Sequence, residues 1–422
     1  MVERIAARVD RLLGWARARR AGAGAVVAPT PSAPLVTPQP PAIDVLDLLG
    51  RAPVDLDTPE LQRFLAGKRV LVTGAGGSIG SEICRQIMKF CPGRLALLDR
   101  AENSLFEIDQ ELRHRWVGAD VLPCVADVCD ATRIDHVFTS QRPQVVFHCA
   151  AHKHVPMMEH NAGEAVKNNV FGTKTVADAA IAHAAHAFVL VSTDKAVNPT
   201  SVMGATKRVA ELYVQSLTAS RTRFVSVRFG NVLGSSGSVV PIFRRQIEAG
   251  GPVTVTHPDM KRYFMTIPEA SQLVMQAGAI GRGGEIFVLD MGEPVRILDL
   301  ATAMIRRCGL SPGADIQIKF TGVRPGEKLY EELAGDDEQT RPTGHAKIRV
   351  WQLQPGTSGE IERGLSLLEQ VIDAPAGGVI AALARVVPEY RPNGAAAPRI
   401  APAVVAPMRL VPPASDASIA AA

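Results

Sequence analysis

The chain has 422 residues, 46% hydrophobic and 21% charged, with a formal net charge of +4. Those proportions are ordinary for a globular enzyme, and the even spread of Lys and Arg argues against nucleic-acid binding. No apolar run approaches the roughly 18 residues of a membrane-spanning helix.

Residues 1–20 read as a helix, with Val2, Ile5, Val9, Leu12 and Ala16 at helical spacing. Arg4, Arg8, Arg11, Arg17, Arg19 and Arg20 flank that stripe. It would lie on an anionic membrane surface as a peripheral contact, or pack on the protein or a partner. Residues 21–43 are rich in Pro and Ala and read as an extended linker, and residues 393–422 share that composition and read as a disordered tail. The start has charges where a secretory signal needs an apolar stretch. The six cysteines, Cys84, Cys91, Cys124, Cys129, Cys149 and Cys308, form no CxxC pair. They read as reduced core thiols of a cytoplasmic protein, placed there or at the inner face of the membrane.

Between linker and tail, short apolar strands alternate with helices. Arg69–Thr73 is followed by glycines and a helix from Ser78. Further strands are expected at Leu95–Leu98, Val121–Val125, Val145–His148, Phe188–Val191 and Phe224–Val227, with helices such as Glu102–Trp116 and Glu164–His183 between them. This alternation implies an α/β fold: a Rossmann-type doubly wound parallel sheet, buried on both faces. It is expected to occupy residues 44–230. A smaller C-terminal substrate-binding α/β region at 231–392 would be partly interleaved with it.

Gly74-Ala-Gly-Gly77-Ser78-Ile79-Gly80 sits between the first strand and the first helix, where a dinucleotide site belongs. Glycine allows a tight turn and close backbone approach, and the free N–H groups of the helix start would face a pyrophosphate. Asp99, ending the second strand, stands where a ribose-binding carboxylate is expected, which favours NAD; Arg100 beside it could hold a 2′-phosphate, which leaves NADP open. Asp127 and Val128 after the third strand and Ala150 after the fourth complete the expected cofactor site. Ser192-Thr193-Asp194-Lys195 then ends the fifth strand, and Met203-Gly-Ala-Thr-Lys207 follows. Ligands bind at the carboxyl ends of strands in open α/β sheets, so this segment should line the site.

These motifs resemble the extended short-chain dehydrogenase/reductase superfamily, as does Asn169-Val-x-Gly-Thr173. Longer strings are similar to its UDP-N-acetylglucosamine 4,6-dehydratase and capsular polysaccharide biosynthesis branch: AAHKHVPMME (Ala150–Glu159), STDKAVNPTSVMGATKR (Ser192–Arg208), RFGNVLGSSGSVVPIF (Arg228–Phe243), RYFMTIPEA (Arg262–Ala270) and GVRPGEKLYEEL (Gly322–Leu333). The resemblance runs from about Leu48 to Pro392. Two positions depart from it: the superfamily's usual tyrosine is Met203, a feature shared with the large membrane-anchored dehydratases, and Ser201 stands where asparagine is expected.

The resemblance implies a three-step reaction on a UDP-sugar. Hydride leaves carbon 4, water is eliminated across carbons 5 and 6, and the hydride returns to carbon 6. It also implies roles: Lys195 as base at carbon 5, Asp194 as acid for the leaving hydroxyl, Thr193 at the 4-hydroxyl, and Lys207 on the nicotinamide ribose. A second cation at Lys207 would make Lys195 a better base. Lys153, Asn231, Arg262, Arg324 and Glu327 match positions that hold the sugar nucleotide, arginine suiting a diphosphate by its fork. A homo-oligomer is expected. His148, His152, His154 and His160 lack a completing carboxylate or cysteine cluster, so no metal site is expected. A 4-epimerase, or an inactive NAD-binding sensor or scaffold, stays open beside the dehydratase.

Overall fold

Strand and helix follow one another as the apolar pattern requires. Helix α1 (Pro59–Leu65) is capped by Thr58, whose hydroxyl accepts from Leu61 N, and has proline in its first turn. Then come β1 (Arg69–Thr73), α2 (Ser78–Met88), β2 (Arg94–Asp99), α3 (Glu102–Arg115), β3 (Val121–Val125), α4 (Ala131–Gln141), β4 (Val145–His148), α5 (Val155–His160) and α6 (Ala162–Val166). A π-helical turn (Lys167–Phe171) leads into α7 (Gly172–Ala182), followed by β5 (Ala187–Val191), α8 (Val202–Ser216) and β6 (Arg223–Arg228). The second half carries β7 (Asn231–Val232), α9 (Val239–Glu248), β8 (Val253–Val255), β9 (Lys261–Arg262), β10 (Phe264–Met265), α10 (Ile267–Ile280), β11 (Ile286–Leu289), β12 (Val295–Arg296), α11 (Ile297–Arg307), β13 (Ile318–Phe320), β14 (Thr340–Pro342), β15 (Ile348–Trp351), α12 (Ser358–Val371) and α13 (Ala376–Val386). This computed structural model describes residues 58–333, 340–351 and 358–392. The expected basic helix, the linker and the tail lie outside the described residues.

Nine strands form one sheet in the order β14-β15-β11-β6-β5-β4-β1-β2-β3. The run from β3 to β11 is parallel, and β15 pairs antiparallel with β11 and β14. The order 3-2-1-4-5-6 is that of the doubly wound dinucleotide fold, with its switch point between β1 and β4. Alternate residues of each strand feed opposite cores. Leu71, Leu98, Val146, Phe188 and Phe224 pack under α4, α7, α8, α12 and α13. Val70, Val72, Leu97, Phe147 and Val225 pack with α1, α2, α3 and α10 on the other face. Burial on both faces is why these strands read as unbroken apolar runs.

The sheet draws on both sides of residue 230, because β11, β15 and α10 join it from the second half. A third apolar cluster, including Leu233, Phe243, Val253, Phe264 and Met304, lies around α9 and α11. The helix expected over Glu164–His183 is interrupted by the π turn. There Asn169 accepts from His152 N (2.8 Å) and donates to His152 O (3.0 Å) and Thr206 Oγ1 (3.1 Å). Those bonds draw the widened turn toward the loop after β4, and such turns often mark functional sites. Among the described residues no helix is long and apolar enough to cross a membrane.

Candidate active site

At the carboxyl edge of the sheet, the glycine turn connects β1 to α2. Gly74 has φ of +66°, and a Cβ there would stand 2.7 Å from Ala150 N. A Cβ on Gly80 would stand 2.0 Å from Gly74 O. Only glycine lets the turn, the strand end and the helix meet this closely. Gly77 caps α2 without a side-chain hydrogen bond, so the first amides of the helix are left for an anion. Beside the turn is a cleft lined by Gly74, Gly77, Asp99, Arg100, Val128 and Ala150 together with Leu98, Ala126, Cys149, Ala151, His152 and Asn168. Six expected cofactor residues therefore share one wall system. Ser78 Oγ accepts from Ser236 N (3.1 Å). Ile79 packs against the sheet core. Asp127 Oδ1 accepts from Cys129 N (2.9 Å). A glycine cradle, an uncapped helix start and a strand-end carboxylate suit a nicotinamide dinucleotide.

The second centre forms where β5 ends. Asp194 is fully buried, and its Oδ1 accepts from Thr193 Oγ1 (2.8 Å) and Lys195 Nζ (2.9 Å). Its Oδ2 is buried with no hydrogen-bond partner. Lys195 Nζ also donates to Asn231 Oδ1 (3.1 Å), so β7 helps aim the ammonium. The strand end is anchored from below: Ser192 Oγ donates to Glu211 (2.7 Å), which also accepts from Arg228 Nε (2.6 Å). Burial works to raise the Glu211 carboxyl, but Arg228, Arg208 and Ser192 hold it below the ordinary carboxylate range. The Arg228 guanidinium lies 3.8 Å from the centre of the Trp351 ring.

Lys207 is buried, and burial depresses its ammonium to about 8. His148 is buried between Thr73 (2.8 Å) and Thr173 (3.0 Å), and burial pushes its imidazole down to about 3, aided by Lys207. It is therefore a neutral, hydrogen-bonded core histidine. Met203 is 3% exposed and belongs to the apolar cluster that also holds Val155, Met158 and Val202. Ser201 caps α8, accepting from Gly204 N (3.1 Å), which a short oxygen-bearing side chain accomplishes.

The expected nucleotide contacts divide into two kinds. Arg324 is half-exposed and reaches Glu327 with its Nε (3.0 Å). Arg262, in contrast, is buried and its fork is already engaged. Its Nη1 donates to Lys261 O (2.7 Å) and Leu329 O (3.1 Å), its Nη2 to Lys328 O (2.8 Å), and Glu331 lies 3.7 Å away. Arg262 therefore ties the 324–331 strap to β9. The same strap is tied to the segment after Lys195 by Lys328 Nζ to Val197 O (3.0 Å) and Thr200 Oγ1 to Gly326 O (3.0 Å). Lys153 Nζ donates to Ser236 O (2.9 Å), joining the loop after β4 to the loop after β7.

Sequence reasoning missed Glu331. It is buried, and its carboxyl is raised by burial and by Asp194, against the pull of Lys195 and Arg262. It also missed Asn168 and the Arg100–His152 contact at the cofactor cleft. Only Asn169, in the quoted motif, hinted at that turn. Among the described residues no group of His, Cys, Asp and Glu could hold a metal ion.

A family model described as polysaccharide biosynthesis protein matches residues 70–353. The chain is 58% identical over 299 residues to the capsular polysaccharide biosynthesis protein CapD of Staphylococcus aureus, covering 70% of this chain and 50% of that protein. It is 60% identical over 312 residues to the probable polysaccharide biosynthesis protein EpsC of Bacillus subtilis (strain 168), covering 74% and 52%. The chain thus spans about half the length of these relatives. Among solved structures it is similar to Pen from Bacillus thuringiensis, at 36% identity and a TM-score of 0.65, over 70% of this chain and 90% of that one. More distantly, it is 32% identical to the UDP-N-acetylglucosamine 4,6-dehydratase (inverting) of Campylobacter jejuni subsp. jejuni serotype O:2, covering 64% of this chain and 78% of that protein. It is 31% identical to the UDP-glucose 4-epimerase of Rickettsia akari, covering 65% and 80%. With one family model spanning the sheet, the glycine turn and the Asp194–Lys195 centre, the chain belongs to the polysaccharide biosynthesis family of sugar-nucleotide enzymes, related to dehydratases and epimerases.

Proposed function

We propose that this chain is a nicotinamide-dependent 4,6-dehydratase acting on a UDP-sugar, UDP-N-acetylglucosamine first of all, for surface-polysaccharide synthesis. The observation that carries the reading is the buried Asp194, with one oxygen shared between Thr193 and Lys195 and the other unpartnered. An acid and a base, held together at the carboxyl edge of the sheet, suit elimination of water from a sugar. Epimerisation at carbon 4 needs no acid at carbon 6.

The bound nicotinamide supplies a hydride acceptor and then a hydride donor. The side chains handle the protons. The Thr193 hydroxyl already donates to Asp194, so its oxygen can take the 4-hydroxyl proton while its own proton passes to Asp194. Lys195, as the free amine left once its ammonium has given a proton to solvent, removes the carbon 5 proton, which the new 4-ketone has made acidic. Asp194 gives its proton to the leaving 6-hydroxyl, which departs as water. Lys195 returns its proton to carbon 5, while the nicotinamide, when bound, would supply the hydride that saturates carbon 6. Both residues finish as they began, and the sugar has lost one water. Asn231 steadies the Lys195 amine through the cycle, and Arg324 with Glu327 offers a charged edge for the nucleotide.

The test is NMR of the purified chain with UDP-N-acetylglucosamine and NAD in heavy water. The expected product is a 4-keto-6-deoxy sugar nucleotide with deuterium at carbon 5. A 4-epimer without ketone would establish the epimerase reading instead, and dinucleotide binding without turnover would favour a sensor.

A further inference from the structure

The cofactor cleft contains an arrangement that bears on which dinucleotide it takes. NADP differs from NAD by a phosphate on the adenosine 2′-oxygen, so discrimination depends on the charges at the ribose end. Asp99 is held rigidly there: its Oδ2 accepts from Gly76 N (2.9 Å) and its Oδ1 from Ala101 N (2.9 Å). Each carboxylate oxygen keeps a further lone pair for a ribose hydroxyl. A 2′-phosphate would meet this fixed negative charge and would need a cation to offset it.

Among the described residues lining the cleft, Arg100 is the one formal cation. Its Nη1 lies 3.5 Å from Asp127 Oδ2, and its Nη2 lies 3.2 Å from His152 Nε2. Asp127 is itself fixed, through Oδ1, by Cys129 N (2.9 Å). Arg100 thus runs from the end of β2 to the loops after β3 and β4. We infer that Asp127 is a specificity-determining residue: by holding Arg100 in this three-residue clasp it withholds the guanidinium from a 2′-phosphate and makes the cleft select NAD over NADP. The inference rests on the nicotinamide reading above and deepens it.

The geometry is consistent on both sides of the clasp. The His152 imidazole is pushed down by burial and by Arg100, and because the guanidinium can only donate, Nε2 is the acceptor of their contact. Asp127 is held below the ordinary carboxylate range despite partial burial, by Cys129 and Arg100. The pair is about half exposed, with side-chain exposures of 50% and 41%. Its hold on Arg100 is therefore modest, enough to bias a choice without obstructing the site.

The test is equilibrium binding of NAD⁺ and NADP⁺ to the full chain, followed by calorimetry or intrinsic fluorescence, without sugar and without turnover. Wild type should bind NAD⁺ more tightly. Asp127→Asn retains an acceptor for Cys129 N but loses the charge. It should shift the ratio of NADP⁺ to NAD⁺ affinity toward NADP⁺ by about fivefold, the upper end for an exposed ion pair. Adding Arg100→Gln to Asp127→Asn should erase that gain, since the freed guanidinium is its source. Equal effects of Asp127→Asn on both dinucleotides, or a gain that survives Arg100→Gln, would overturn the assignment while leaving the nicotinamide reading intact. Failure of wild type to bind either dinucleotide would remove the nicotinamide reading and the inference together.

Discussion

The Lys195 ammonium donates at 2.9 Å to one oxygen of Asp194, whose other oxygen is buried and has no hydrogen-bond partner. An unsatisfied buried carboxylate oxygen carries a desolvation cost of about 1–3 kcal/mol or more. Asp194 follows β5 at the carboxyl edge of the sheet, where open α/β folds bind their ligands. The relationship predicts separable defects. Lys195→Ala should permit hydride transfer from carbon 4 but block elimination, so reduced nicotinamide should accumulate on the enzyme after substrate addition. Asp194→Asn should lower dehydration by about 10²–10⁴-fold, the range for general acid–base catalysis. Stopped-flow absorbance and steady-state product assays check both, and full turnover by either variant would dismiss the assignment.

Met203 stands where the superfamily places a tyrosine. It is 3% exposed and belongs to an apolar core cluster, so a larger, polar phenol would have to be fitted into packed apolar surroundings. Overpacking costs about 1–3 kcal/mol. Met203→Tyr should therefore lower thermal stability and bring no gain in dehydration. A gain of about tenfold or more, well within what a restored general base supplies, would show that the methionine had disabled the site.

Two arginines expected to do the same work should behave differently. Arg324 is half-exposed and pairs with Glu327. Arg324→Ala should raise KM for the sugar nucleotide with little change in melting temperature. Arg262 is buried against the strap carbonyls and Glu331. Arg262→Ala should destabilise the protein by about 3–5 kcal/mol, as expected when one partner of a buried charge pair is removed. Denaturant melts and kinetics on the two variants decide this; a KM effect alone at Arg262 would return it to the diphosphate.

Burial depresses Lys207 from its ordinary 10.5 to about 8. The sign follows from proton counting. Between those values the unfolded chain carries a proton on this lysine that the folded chain lacks, so stability rises with pH across that window. Below about 8 both states are protonated, and the cost of burying the charge is fully present. A shift of this size corresponds to about 3 kcal/mol. Lys207→Met should remove this part of the pH dependence, making the variant relatively more stable than wild type at pH near 8 and less advantaged near 10. Urea unfolding at the two values tests it, and parallel curves would contradict the depression.

Much of the fold was legible because local chemistry and tertiary position agree there. Apolar runs such as Phe188–Val191 and Val145–His148 cannot be solvated on either face, so a sheet covered on both sides follows from composition alone. The Gly74–Gly80 spacing was legible for a similar reason: a Cβ at either end would strike backbone. Asp194 and Lys195 are sequence neighbours, and their pairing needs only one turn.

What the chain order leaves open are encounters between distant segments. Arg262 carries the same charge in a loop or in a clamp; only the folded path of residues 324–331 brings Lys328 O, Leu329 O and Glu331 to its fork. Glu331 looks like one acid among several in a charged stretch until folding buries it near Lys195 and Asp194. Arg100 and Asp127 follow adjacent strands, and the path of the loop after β4 across β1 brings His152 to them. Residue type and local spacing determined the kind of chemistry this protein can carry. The tertiary structure decided which charges are tied into the fold and which stay exposed at the carboxyl edge of the sheet, because hydrogen-bonding capacity is finite and only the packed chain shows where it is used.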